Sequence, residues 1–102
     1  MNTDETILII HADTDHGYTI ARELLTAGYR VAVTAHHPAS LSRILLGQSA
    51  DRVIAIAADI DDNTQRDRIL RRARARFDAP VTRVIDGRDA DHPQRVSLQI
   101  AS

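Results

Sequence analysis

The apolar positions of this chain fall into short continuous runs separated by stretches of helical spacing. Thr6 to Ile10 (TILII) is branched and apolar without alternation, the pattern of a strand covered on both faces. From Gly17 to Ala27, residues Ile20, Ala21, Leu24 and Leu25 share one helical stripe, and Gly28 is placed to end that helix in a left-handed turn. Arg30 to Ala35 (RVAVTA) predicts a second strand. Pro38 suits the first turn of a second helix, in which Leu41, Ile44 and Leu45 share a face before Gly47 ends it. Arg52 to Ala58 (RVIAIAA) predicts a third strand. Asp61 and Asp62 stand where the positive end of a third helix favours acids. That helix is expected over Asn63 to Phe77, with Ile69, Leu70, Ala73 and Phe77 on its stripe. Val81 to Ile85 predicts a fourth strand, and in the tail from Gly87 to Ser102 the alternation of VSLQI allows a fifth, at an edge.

This β-α-β-α-β-α-β alternation predicts an α/β fold: a parallel sheet with helices on its faces. The length of 102 residues suits one domain, 1–102, with a single core. Composition then narrows the chemistry. All 13 basic residues are arginine, and cysteine is absent. Lysine chemistry, thiolate nucleophiles, disulfides and thiolate metal sites are therefore excluded within these residues. The net charge of −1 gives no overall attraction to nucleic acid or acidic membranes. The polar start MNTDET and the lack of any apolar run near 18 residues make a cytoplasmic location the expectation.

The segments ARELLTAGYRVAVTAHHPASL and ADRVIAIAADIDDNTQRDRILRRARARF resemble the first half of short-chain dehydrogenases/reductases. The resemblance spans about residues 6 to 89 and rests on the order and spacing of several features. It implies a three-layer Rossmann-like sheet in strand order 3-2-1-4. It also implies binding of NADP or another adenine nucleotide at Gly17, His36, His37, Asp59 and Ile60. Family members carry T-G-x-x-x-G-x-G after the first strand; here the four positions hold Ile10, His11, Asp15 and Gly17, so one glycine is kept. The two missing glycines would let backbone approach the pyrophosphate. His11 and Asp15 bring side chains into that approach, and Asp13 with Asp15 adds negative charge there. Asp15 is also a candidate cap for the helix. His36 and His37 stand where arginine favours NADP and aspartate favours NAD, which implies the 2′-phosphate form. Asp59-Ile60 matches the aspartate–aliphatic pair beside the adenine, whereas Asp86-Gly87-Arg88-Asp89 replaces the family's N-N-A-G. The catalytic serine and Y-x-x-x-K pair of the family are expected beyond the stretch that the resemblance covers, and a chain without lysine cannot supply that pair.

Other chemistry competes for the same residues. His11, Asp13, Asp15 and His16 are all competent metal ligands crowded into one turn. The string loosely resembles the H-x-H-x-D-H motif of metallo-β-lactamase-fold hydrolases, although those need a longer chain and a β-sandwich. Asp13 and Asp59 also stand where a response-regulator receiver domain carries acids, but the receiver's lysine is missing. The helix carrying Arg66, Arg68, Arg71, Arg72, Arg74 and Arg76 is expected to be a solvated, salt-bridged face, with an anionic-partner surface as the alternative. His92 is expected to be an ordinary loop residue.

The expectation is a non-catalytic nucleotide-binding or sensing module. One alternative is an interaction module that has lost its ligand; others are a metal-binding protein and an enzyme whose partner supplies the catalytic half. An unpaired fourth strand invites another chain, so a homodimer or a heteromeric partner is expected through that strand or Arg95 to Ile100.

Overall fold

The computed structural model describes residues 5–88. The proposed edge strand VSLQI, His92 and the Arg95–Ile100 contact lie outside the described residues. Four parallel strands form one sheet in the order β3-β2-β1-β4: β1 Thr6–Ile10, β2 Arg30–Ala35, β3 Val53–Ala57 and β4 Val81–Asp86. Helix α1 is Asp15–Thr26, a 3-10 turn covers Pro38–Leu41, α2 is Ser42–Leu45 and α3 is Asn63–Phe77. The strand order is the one implied by the family resemblance. It excludes the receiver arrangement, in which the first strand lies between the second and third.

The sheet separates two apolar clusters, which makes the structure three-layered. On one side Ile7, Ile9, Val31 and Val33 pack with Ile20, Ala21 and Leu25 of α1 and with Leu41 and Ile44. On the other, Leu8, Ala32, Ile56 and Val84 pack with Ile69, Ala73 and Phe77 of α3. Alternate residues of β1 thus serve both layers, which is why TILII is wholly buried. Truncating Ile69, fully buried, to alanine costs about 2–5 kcal/mol on this accounting. Thr34 is buried between strands, but its hydroxyl donates to the Ile56 carbonyl at 2.7 Å, so no polar group is stranded there.

Local chemistry sets the helix ends. Gly28 ends α1 with φ 101, and the Tyr29 N–H returns to the Leu24 carbonyl at 3.1 Å. Asp62 caps α3 by accepting from the Thr64 and Gln65 N–H groups, and Asp78 closes it in the left-handed region at φ 55. The second helix differs from expectation. Only four residues are α-helical, and Leu45 is 38% exposed rather than sharing the buried face of Leu41 and Ile44. A single α turn after a 3-10 turn cannot maintain one continuous stripe. Leu70 is likewise only partly buried, at the margin of its cluster.

Candidate functional site

Open parallel sheets bind ligands beyond the carboxyl ends of their strands, where the chain departs to opposite faces. Here β1 lies between β2 and β4, so the crevice falls over Ile10–Gly17, with Ala35–His37, Ala58–Asp59 and Asp86–Arg88 around it.

The β1–α1 turn is tightly built. His11 has φ 50, a left-handed conformation uncommon outside glycine but tolerated best by Asn, Asp and His. Thr14 is the N-cap: its hydroxyl oxygen accepts from the Gly17 N–H at 2.9 Å and donates to the Gly87 carbonyl at 2.7 Å. The Gly87 N–H donates to the Ile10 carbonyl at 2.8 Å. Neither glycine has room for a side chain. A Cβ on Gly87 would lie 2.5 Å from the His11 carbonyl oxygen, and one on Gly17 would lie 2.9 Å from the Ala12 Cα. The end of β4 is thereby locked against the start of α1.

Asp15 is not the cap. It is the first residue of α1, and its side chain is 97% exposed and paired with Arg43 at 2.8 Å. The Arg43 guanidinium also lies 4.5 Å from the centre of the Tyr18 ring. Asp15 therefore points along the α1–α2 surface rather than into the pyrophosphate approach, because Thr14 holds the N-cap position and Asp15 already lies inside the helix. Among the described residues, no three His, Asp or Glu side chains are grouped to hold a metal ion. Asp15 faces Arg43, whereas the Nε2 atoms of His11 and His16 are each buried with no hydrogen-bond partner.

The β2–β3 side is more open. His36 and Asp59 are 57% and 42% exposed, and Nε2 of His36 lies 3.3 Å from Oδ1 of Asp59. The Asp61 N–H, donating at 2.9 Å, does most to hold the Asp59 carboxyl below its ordinary range. His36, and His11 at longer range, act in the same direction against partial desolvation. The Asp59 backbone is itself held, its N–H donating to Oε1 of Gln65 at 2.7 Å. His37 is exposed. Ile60 is 5% exposed and packs in the α3-side cluster.

Asp86, at the end of β4, completes the crevice. Burial raises its proton affinity, but hydrogen bonds from the Arg88 side chain and backbone N–H outweigh this, and the carboxyl is held below its usual range. Arg88 is held charged chiefly by its bond to Asp86, at 3.1 Å, and also by the fields of Asp61 and Asp13.

Thr14 and Gly87 are the residues that sequence reasoning missed. A threonine three positions before Gly17, at the start of a helical stripe, is a cap signal. Gly87 had no local signal, because its constraint comes from His11, 76 positions away in the chain.

No protein-family profile and no curated protein matches this sequence. Solved structures do. The fold is similar to a short-chain dehydrogenase from Streptomyces avermitilis, with TM-score 0.68 and 26% identity over 78% of this chain and 29% of that one. A short-chain dehydrogenase from Bacillus anthracis gives TM-score 0.75 and 15% identity over 82% of this chain and 34% of that one. A 3-ketoacyl-(acyl-carrier-protein) reductase from Brucella melitensis, solved with NADH, gives TM-score 0.70 and 24% identity over 78% and 32%. The chain therefore spans about a third of the length of these proteins. No helix among the described residues is long and apolar enough to cross a membrane. With its 3-2-1-4 sheet, its crevice over β1 and these structural matches, the chain has the fold of the nucleotide-binding half of short-chain dehydrogenases/reductases.

Proposed function

We propose that this chain is an adenine-nucleotide-binding or sensing module that holds its ligand chiefly by the adenosine end and performs no hydride transfer with its own residues. The observation that carries this reading is the half-exposed Asp59–His36 pair across the open ends of β3 and β2. Asp59 is ionised and anchored through its backbone, so its carboxylate is ready to accept from an exocyclic amine. His36 stands beside it, and His36 and the exposed His37 would donate to a ribose hydroxyl or a 2′-phosphate. The diphosphate end fits less well. The Gly17 N–H at the α1 terminus is already taken by Thr14, and Asp86 adds a carboxylate at the crevice floor. Adenosine monophosphates and their 2′-phosphorylated relatives are accordingly expected to retain most of the affinity of whole dinucleotides.

Calorimetric titration of the chain with NADPH, NAD, AMP and adenosine 2′-phosphate tests this. Saturable binding of the mononucleotides within about tenfold of NADPH supports the reading. No binding by any of the four favours the second reading, an interaction module that has lost its ligand, for which the internally satisfied α1 terminus speaks. We also propose that the outer edge of β4, unpaired among the described residues, pairs with a second copy or another protein. A monomer by light scattering at micromolar concentration would count against that contact.

A further inference from the structure

The opposite edge of the sheet carries a groove unrelated to the crevice. It runs along β3 between α2 and α3, encloses about 380 Å³, and is lined by Leu45, Gln48, Val53, Ala55, Arg72 and Arg76 among others. Three features meet there. The first is an open strand edge: β3 is the terminal strand and pairs only with β2 among the described residues. The Arg52 carbonyl and the Ala58 N–H both bond to β2, so by the alternation of a parallel ladder the backbone groups of Val53, Ala55 and Ala57 face outward. The second is apolar surface: Leu45, 38% exposed, lines the groove with Val53 and Ala55.

The third is charge. The expected salt bridges of α3 do not form: among the described residues, no carboxylate pairs with any of its six arginines. Arg76 is fixed by donating to the Ala50 carbonyl at the groove mouth. Arg72, one turn earlier on the same face, is exposed and makes no hydrogen bond or ion pair within the described residues.

We propose that this groove receives an extended peptide segment of a partner protein, added as a strand to β3, in which apolar and acidic residues alternate. The alternation follows from the layers. Side chains of an added strand point to opposite faces in turn. Those on the α2 side meet Leu45, Val53 and Ala55, and those on the α3 side meet Arg72 and Arg76. Main-chain bonds to the β3 edge supply affinity, while the two linings supply selection. Arginine's planar fork suits carboxylates held in such a row. A nucleic-acid duplex would engage the arginines but leave the strand edge and Leu45 unused, so the peptide uses more of what the groove offers.

The test is fluorescence anisotropy of a labelled peptide of alternating valine and glutamate, titrated with the full chain. Saturable binding is expected, weakened at least about tenfold by Arg72→Glu and partly restored in that variant by the valine–lysine peptide. N-methylating alternate peptide residues keeps every side chain but removes the edge bonds, and is expected to abolish binding without altering the protein. Ala55→Pro removes an outward N–H and does the same from the protein side, with circular dichroism reporting the fold. The proposal is overturned by absent binding, by equal binding of the lysine peptide to the unaltered chain, or by indifference to N-methylation. Duplex DNA binding in preference to the peptide overturns it too, as does a dimer that Ala55→Pro dissociates while the peptide leaves it intact.

Discussion

The two sides of the crevice are built to different tolerances. Around β1, α1 and β4, backbone meets backbone: Gly87 and Gly17 leave no space for a methyl group, and Thr14 satisfies partners on both sides of the contact. Around β2 and β3, the polar groups are half-exposed and held by the His36–Asp59 contact and a turn. The first region therefore acts as a structural lock between the first and last described strands. The second keeps hydrogen-bonding capacity that a ligand can still use. A turn without the glycine-rich sequence can still be tightly built when a side chain takes up part of the helix terminus; here the Thr14 hydroxyl accepts from the Gly17 N–H.

The contrast is broken most severely at Gly87. Gly87→Ala places a Cβ against backbone that cannot swing away, and should cost about 3 kcal/mol or more, read as a fall in Tm. Thr14→Ala removes the cap and the bond to the Gly87 carbonyl together. It should cost about 1–2 kcal/mol by denaturant titration, with Thr14→Ser recovering most of that loss. Asp59→Ala should do the reverse: nucleotide affinity falls about tenfold by calorimetry while Tm hardly moves, since the contact with His36 is half-exposed. A large loss of stability with unchanged binding would erase the distinction between the two regions.

Acid sharpens the same comparison. Asp86 and Asp59 both have folded-state proton affinities below the ordinary carboxylate range. Each stabilises the fold at pH above that range, and the contribution is lost as pH falls through the lowered folded value. Asp86, 17% exposed and paired with Arg88, should account for more of this acid sensitivity than Asp59. Asp86→Asn should therefore flatten the acid limb of a Tm-against-pH profile, and Asp59→Asn should leave it nearly unchanged. The smallest effect is expected of Asp15→Gly. Its side chain faces Arg43 rather than the crevice, so nucleotide affinity by calorimetry should stay within about twofold.

Much of this fold is written locally. The branched runs at Thr6–Ile10 and Arg30–Ala35, the stripe of Asn63–Phe77 and the turn at Gly28 are properties of neighbouring residues, and all are present as expected. Strand order came from the family resemblance, and three-dimensional similarity supports it where no family profile does. The site was only partly legible. Asp59 and His36 could be placed because each follows a strand whose end was plain in the sequence. The destination of Asp15, the lock formed by Thr14 and Gly87, and the absence among the described residues of carboxylates paired with the α3 arginines could not, because each depends on which distant segment lies within a few ångströms.

The chain by itself determined which segments form strands and helices, the short second helix excepted, since periodicity and caps act over a few residues. It also determined that lysine and thiol chemistry are absent from these residues. Tertiary structure alone decided which polar groups are spent on internal contacts and which still face solvent. Residues 11, 14, 17 and 87 share one contact only after β4 has crossed to the side of β1 away from β2. Steric exclusion and hydrogen-bond satisfaction at that contact depend on distances that sequence separation does not encode.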